Sequence, residues 1–192
     1  MPGHIRQIEG DRVLIALIGA PASGKSHLAA ELAATLGSAA VVPMDGFHRE
    51  NDWLDAEGLR ARKGAPETFD VEGLLTAVRT LRTGDQDLAL PGFDRAADAV
   101  VPGAVAVPAA ARVVLIEGNY LLLTRPLWRD LAPLFDLTIR IATPEATLRA
   151  RLAARWSALP AAEAAARIEG NDLPNAQAIR AESRAADLVI RD

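Results

Sequence analysis

Eight consecutive residues, Gly19-Ala20-Pro21-Ala22-Ser23-Gly24-Lys25-Ser26, follow the pattern G-x-x-x-x-G-K-[ST]. Glycines let backbone N–H groups turn inward around phosphate oxygens, a lysine reaches the β and γ phosphates, and the closing hydroxyl is a hard ligand for Mg²⁺. This is chemistry for gripping a nucleoside triphosphate with Mg²⁺, with Gly19 to Ser26 as the cradle and His27 just behind it; alone it leaves kinases, GTPases, ATPase motors and binding modules open, and the residues that follow point to ATP and Mg²⁺ as the expected cofactors. Of the 21 basic residues only Lys25 and Lys63 are lysine. Lysine at position 25 therefore reflects a need for a compact ammonium between phosphates, where a planar guanidinium does not fit.

Other residue types that could act on a bound triphosphate fall at the ends of apolar runs. Asp45 ends the run Ala39–Met44 within Pro43-Met-Asp-Gly-Phe-His48-Arg49. A carboxylate there could take the proton of an acceptor hydroxyl lined up with the γ-phosphate; Asp-Gly is equally a plain turn signal. Glu117 ends the run Arg112–Glu117, where it could support Mg²⁺ or orient the attacking group rather than stand solvated at a strand end. Tyr120, the only tyrosine, follows closely and either faces substrate or packs. Arg151 and Arg155 lie four apart, so both can reach one side of a helix, with Arg149 opposite and Arg167 further on. Such arginines suit a lid over ATP that neutralises charge on the transferred phosphoryl, although a solvated basic face has the same pattern.

These residues need a sheet to bring them together. Continuous apolar runs at Arg12–Ile18, Ala39–Met44, Arg112–Glu117, Leu137–Ala142 and Leu188–Ile190 read as five buried strands. Helices are expected from the cradle to Leu36, closed by Gly37, and over Val71–Arg82, capped by Asp70 and ended near Gly84. Another opens at Thr143 with Pro144 in its first position and runs to about Trp156. Further helices are expected over Pro126–Leu131, Ala161–Ile168 and Asn175–Ser183. Alternating strands and helices predict an α/β fold: a five-stranded parallel sheet with helices on both faces, and ligands at the carboxyl ends of strands. The Pro, Gly and Ala-rich stretch Leu88–Ala110 reads as an irregular excursion or a loose hairpin over that edge.

Composition bounds the partners. At 192 residues, 50% hydrophobic and 24% charged, the chain fits one globular domain. A net charge of −4 provides no cationic field for a nucleic acid. There is no cysteine, and His4, His27 and His48 have no metal-ligand spacing. The longest apolar stretch, Val13–Ala22, is about half of the roughly 20 residues that span a bilayer, and the first eleven residues have no apolar leader core, so a cytoplasmic location without membrane insertion is expected. A homodimer stays open.

Taken together, GAPASGKS, PMDGFHR, Lys63-Gly-Ala-Pro-Glu-Thr-Phe-Asp70, Pro91-Gly-Phe-Asp94-Arg95, Leu115-Ile-Glu-Gly118 and Ala186-Asp-Leu-Val-Ile190 resemble the uridine kinase, phosphoribulokinase and pantothenate kinase family of P-loop kinases. The pattern is most similar to short bacterial proteins labelled fructose transport system kinases. The resemblance implies the P-loop NTPase fold with a small helical lid near residues 151–172, Asp45 as catalytic base, Lys25 and Ser26 on phosphates and Mg²⁺, Glu117 supporting the metal and Arg155 in the lid. Gly64 and Asp98 stand where uridine kinases carry a ribose-binding aspartate and a base-contacting histidine. His48, Lys63, Asp94 and Arg95, with Arg49 and Tyr120, are then the substrate candidates. The expected activity is phosphoryl transfer from ATP to a hydroxyl of a sugar or similar polar small molecule. Its alternatives are a nucleoside or pantothenate kinase, and a regulatory P-loop ATPase associated with sugar transport. A GTPase is disfavoured, because no Asn-Lys-x-Asp sequence is present.

Overall fold

The computed structural model describes residues 1–191. Seven strands form: β1 (Val13–Gly19), β2 (Ala39–Pro43), β3 (Leu88–Asp94), β4 (Ala99–Val107), β5 (Val113–Gly118), β6 (Leu137–Ala142) and β7 (Leu188–Arg191). Five of them make a parallel sheet in the order β2-β5-β1-β6-β7, as the apolar runs predict. Every residue of β1 and β5 is buried, because apolar layers cover both faces. Leu14, Ala16 and Ile18 point into one layer, Val13, Ile15 and Leu17 into the other.

The helices are α1 (Pro2–Arg6), α2 (Lys25–Leu36), α3 (Asn51–Ala56), α4 (Val71–Thr83), α5 (Glu145–Arg155), α6 (Ala161–Arg167) and α7 (Leu173–Glu182). On one face α2 supplies Ala29 and Leu32 and α1 adds Ile5; on the other α4 supplies Leu74, Val78 and Leu81. The expected caps form: Asp70 Oδ1 accepts from the Gly73 N–H at 3.2 Å, and Gly37 and Gly84 take the positive φ that ends α2 and α4. The short helices α1 and α3 have no counterpart in the sequence reading.

Several expectations need correction. Pro144 lies outside α5, because its ψ of 144° is extended, and the buried Thr143 hydroxyl has no hydrogen-bond partner and caps nothing. Pro126–Leu131 is no α-helix. The left-handed φ of Leu127 (66°) interrupts a helix at its start, and the chain makes two 3₁₀ turns, Trp128–Asp130 and Ala132–Leu134, instead. The helix α6 runs on through a wide π-type turn, Ile168–Asp172, directly into α7. Arg12 precedes the strand rather than starting it. Its buried guanidinium donates to the carbonyls of Ala111, Pro108 and Ala109 at 2.7–3.1 Å, pinning the loop that feeds β5.

Residues 88–107 form an antiparallel hairpin of β3 and β4, with a register shift between Leu90 and Gly92. It packs on the 3₁₀ turn Met44–Phe47 that follows β2. Contact there is so close that a Cβ on Gly46 would lie 2.0 Å from the Pro91 carbonyl oxygen.

Candidate active site

Because β5 lies between β1 and β2, Glu117 pairs with Leu17 on one side and Pro43 on the other. The three loops leaving these strands therefore emerge side by side. The loop after β1 turns back tightly: the Ser23 N–H donates to the Ala20 carbonyl at 3.1 Å, Ala22 takes a left-handed φ of 62°, and Gly24 takes 89°. A Cβ on Gly19 would meet Ser23 Oγ and lie 3.1 Å from Ser23 Cβ, so a larger residue there would have to push the serine side chain aside. Lys25 and Ser26 then open α2, where free N–H groups and the helix dipole favour an anion. Strain at Ala22 is held by the strand and helix on either side.

The Ser26 hydroxyl donates to Glu117 Oε1 at 2.9 Å. Glu117 is buried, which pushes its carboxyl up; Lys25 opposes that rise, while Asp45 adds to it. Asp45 sits in the 3₁₀ turn at the tip of β2, and Arg95 Nη2 donates to its Oδ2 at 2.6 Å. Pro21, Lys25, Asp45, His48, Lys63, Arg95 and Arg155 all line one cleft of about 840 Å³. The helical segment closes its far side. Arg151 Nη1 lies 3.4 Å from the Ala22 carbonyl oxygen, and Arg155 and Arg167 stack on Trp156 at 5.1 and 4.8 Å. The Trp156 Nε1–H donates to Asp172 Oδ2 at 2.8 Å, so the π-type turn orients the indole.

Four predicted site residues are placed elsewhere. Tyr120 is fully buried: its hydroxyl donates to the Gly64 carbonyl at 2.6 Å and its ring packs against Phe69 and Trp128. Asp94 spends one carboxylate oxygen on the N–H groups of Ala96 and Ala97. Arg49 pairs with Asp70 at 3.2 Å and lies over Trp53. His27 is exposed beside Glu31 at 3.4 Å. Conversely, Asn119, Asn171 and Trp156 line the cleft without having been singled out. Asn119 directly follows Glu117-Gly118, so its place at a strand end was the available signal.

His48 stacks on Phe69 at 4.1 Å and meets the edge of Phe93 at 4.8 Å. Burial pushes its imidazole down to about 4, with Asp45 and Asp98 pulling upward and Lys63 and Arg95 reinforcing the fall. The unfolded chain takes up this proton near pH 6.5 and the folded chain resists it until about pH 4. Stability from this group is thus complete above pH 6.5 and declines as pH falls towards 4, by up to about 3 kcal/mol. Urea midpoints measured at pH 7 and pH 5 should diverge more in the parent protein than in His48→Phe; equal divergence would refute the assignment.

Three adjoining strand ends thus meet at a nucleotide-sized cleft in a doubly covered parallel sheet, which is the architecture of a P-loop kinase. No protein-family model matches the chain. It is 38% identical to the Escherichia coli protein YggC over 93% of this chain and 77% of that one. It is 37% identical to a Schizosaccharomyces pombe protein named "putative uridine kinase", over 94% and 83%. A crystal structure described as a "putative fructose transport system kinase" from Silicibacter sp. TM1040 superposes with a TM-score of 0.90 at 48% identity, covering 96% of this chain and 92% of the other. The chain belongs to the uridine kinase, phosphoribulokinase and pantothenate kinase family of P-loop kinases. It is an ATP-dependent phosphotransferase with an alcohol group as acceptor. Among the described residues no helix is long and apolar enough to cross a membrane.

Proposed function

We propose that this kinase transfers the γ-phosphoryl of ATP to a hydroxyl of a sugar or similar polar small molecule, with Asp45 as the base. The observation that carries the reading is that Asp45 and Lys25 line the same cleft, from the ends of β2 and β1 that flank β5. Lys25 and the loop N–H groups hold the phosphates, and Arg151 and Arg155 close over them from the helical lid, approximately residues 151–172 of a single kinase domain. Asp45 takes the proton of the acceptor hydroxyl as its oxygen attacks the γ-phosphorus. The bond to the β-phosphate oxygen breaks, and ADP leaves with that electron pair.

The donor set at Ser26 and Glu117 fits Mg²⁺, since both are hard oxygen ligands and the buried carboxylate has a hydroxyl as its hydrogen-bonding partner. Bound there, the ion would neutralise charge on the β and γ phosphates. The acceptor side is equally polar. His48 Nδ1 and Asn119 Oδ1 are buried there with no hydrogen-bond partner among the described residues, as suits an acceptor rich in hydroxyls. A cytoplasmic location, where ATP is abundant, is part of this reading.

ADP release by the purified protein with Mg²⁺-ATP, screened over sugars, polyols, their acids and phosphates, nucleosides and pantothenate, tests the proposal. Stimulation by a sugar or polyol, or by an acid or phosphate derived from one, is expected. Stimulation by a nucleoside or pantothenate alone would move the assignment to those acceptors, and stimulation by a protein alone would make the chain a regulatory ATPase.

A further inference from the structure

The carboxylate assigned as base is already engaged. Its charge-assisted bond from Arg95, at 2.6 Å, occupies an oxygen that would have to accept the acceptor's proton or stand beside the one that does. Arg95 sits in the turn between β3 and β4, and that turn is pinned at both ends. Asp94 Oδ1 accepts from the N–H groups of Ala96 and Ala97. At the other end Lys63 Nζ donates to the Asp98 carboxylate at 2.8 Å and to its carbonyl at 2.9 Å, and Asn51 donates to the same carbonyl at 3.0 Å. Asp98 is held there at a left-handed φ of 50°. The Arg95 side chain itself is 60% exposed. It can therefore swing off Asp45 while the hairpin stays still.

A second cation lies close by. Burial, and after it the charge of Arg95, hold the Arg155 guanidinium below the usual arginine value, with Asp172 and Asp45 pulling the other way. Arg155 and Lys25 have an anion in prospect, the triphosphate. Arg95 makes its ion pair with the base, and a neutral alcohol that took Asp45 from it would replace that pair with water, whereas an anionic group would keep it.

Resting on the kinase reading above, we propose that the acceptor carries an anionic group, a carboxylate or a phosphate, which draws Arg95 away from Asp45 and so frees the base. Arg95 exchanges one anion for another, and its ion pair is kept throughout. Without such an acceptor Asp45 stays capped, and water is a poor substitute nucleophile. Recognition and base activation are thereby one event, set by a single side chain on a fixed turn.

The test is a matched acceptor series, glycerol with glycerate and glycerol 3-phosphate, and ribose with ribonate and ribose 5-phosphate, each read as kcat/KM for ADP release. In at least one series a charged member should exceed its neutral parent by about 30-fold or more. Whether the carboxylate or the phosphate arm leads identifies the group. Arg95→Gln should bring that ratio to within about threefold, and Arg95→Lys should restore part of it. An arginine with only a structural role would depress charged and neutral acceptors alike and leave the ratio intact. A preference for the neutral members, or an unchanged ratio in Arg95→Gln, overturns the inference while leaving the kinase reading in place. If ATP is hydrolysed and no alcohol of either kind stimulates it, the kinase reading falls and this inference falls with it.

Discussion

Asp45→Asn is expected to lower kcat by about 10²–10⁴-fold while nucleotide affinity stays within a few-fold of the parent. The substitution keeps the shape of the side chain and removes its capacity to take a proton. It also weakens the bond from Arg95, since a neutral amide oxygen replaces a carboxylate. Nucleotide affinity should survive because the phosphate cradle is built on β1 and α2, a different strand end. Single-turnover kinetics with the best acceptor, beside titration of a non-hydrolysable ATP analogue, separate the two quantities. Full turnover in the variant would dismiss Asp45 as the base, and loss of nucleotide binding would mean that its role is structural.

Gly46→Ala should damage both stability and activity although it adds one carbon. The new Cβ would meet the Pro91 carbonyl oxygen at 2.0 Å and the carbonyl carbon at 2.6 Å. Backbone cannot rotate aside as a side chain can. Either the hairpin lifts or the 3₁₀ turn shifts, and the adjoining Asp45 moves with it. Overpacking of this kind costs about 1–3 kcal/mol, and displacement of a catalytic group by about 1 Å costs on the order of 10²-fold in rate. Thermal unfolding and kcat should fall together, again with the nucleotide site retained. A variant with parental melting and turnover would mean that the hairpin is not seated on this turn in solution.

The parts of the site that are legible in the sequence are those where one segment carries its own geometry. The run before Gly19 is apolar without interruption because the strand is covered on both faces, and the glycine-lysine pattern states its own backbone requirement. The strand ends at Asp45 and Glu117 are legible for the same reason, since a polar residue stops an apolar run at the sheet edge. Tyr120 shows where such reading stops. It follows Glu117 closely in sequence, yet it turns under the cleft to hold the Gly64 carbonyl and complete an aromatic cluster. Nothing in residue type separates a tyrosine facing substrate from one facing the core. Asn171 reaches the cleft from the π-type turn into which α6 continues, and Trp156, at the end of α5, is held by Asp172 of that same turn, a feature with no local signature. Asp94 and Arg95, adjacent in sequence, part ways for a similar reason: one fixes the turn and the other leaves it for Asp45.

Both lysines of the chain line the cleft, Lys25 in the phosphate cradle and Lys63 clamped to the hairpin tip. Arginine supplies every other basic side chain. Reagents that acylate or alkylate primary amines therefore have no side-chain target on the outer surface. Such labelling becomes a footprint of occupancy, in which the nucleotide shields one position and the hairpin's grip guards the second.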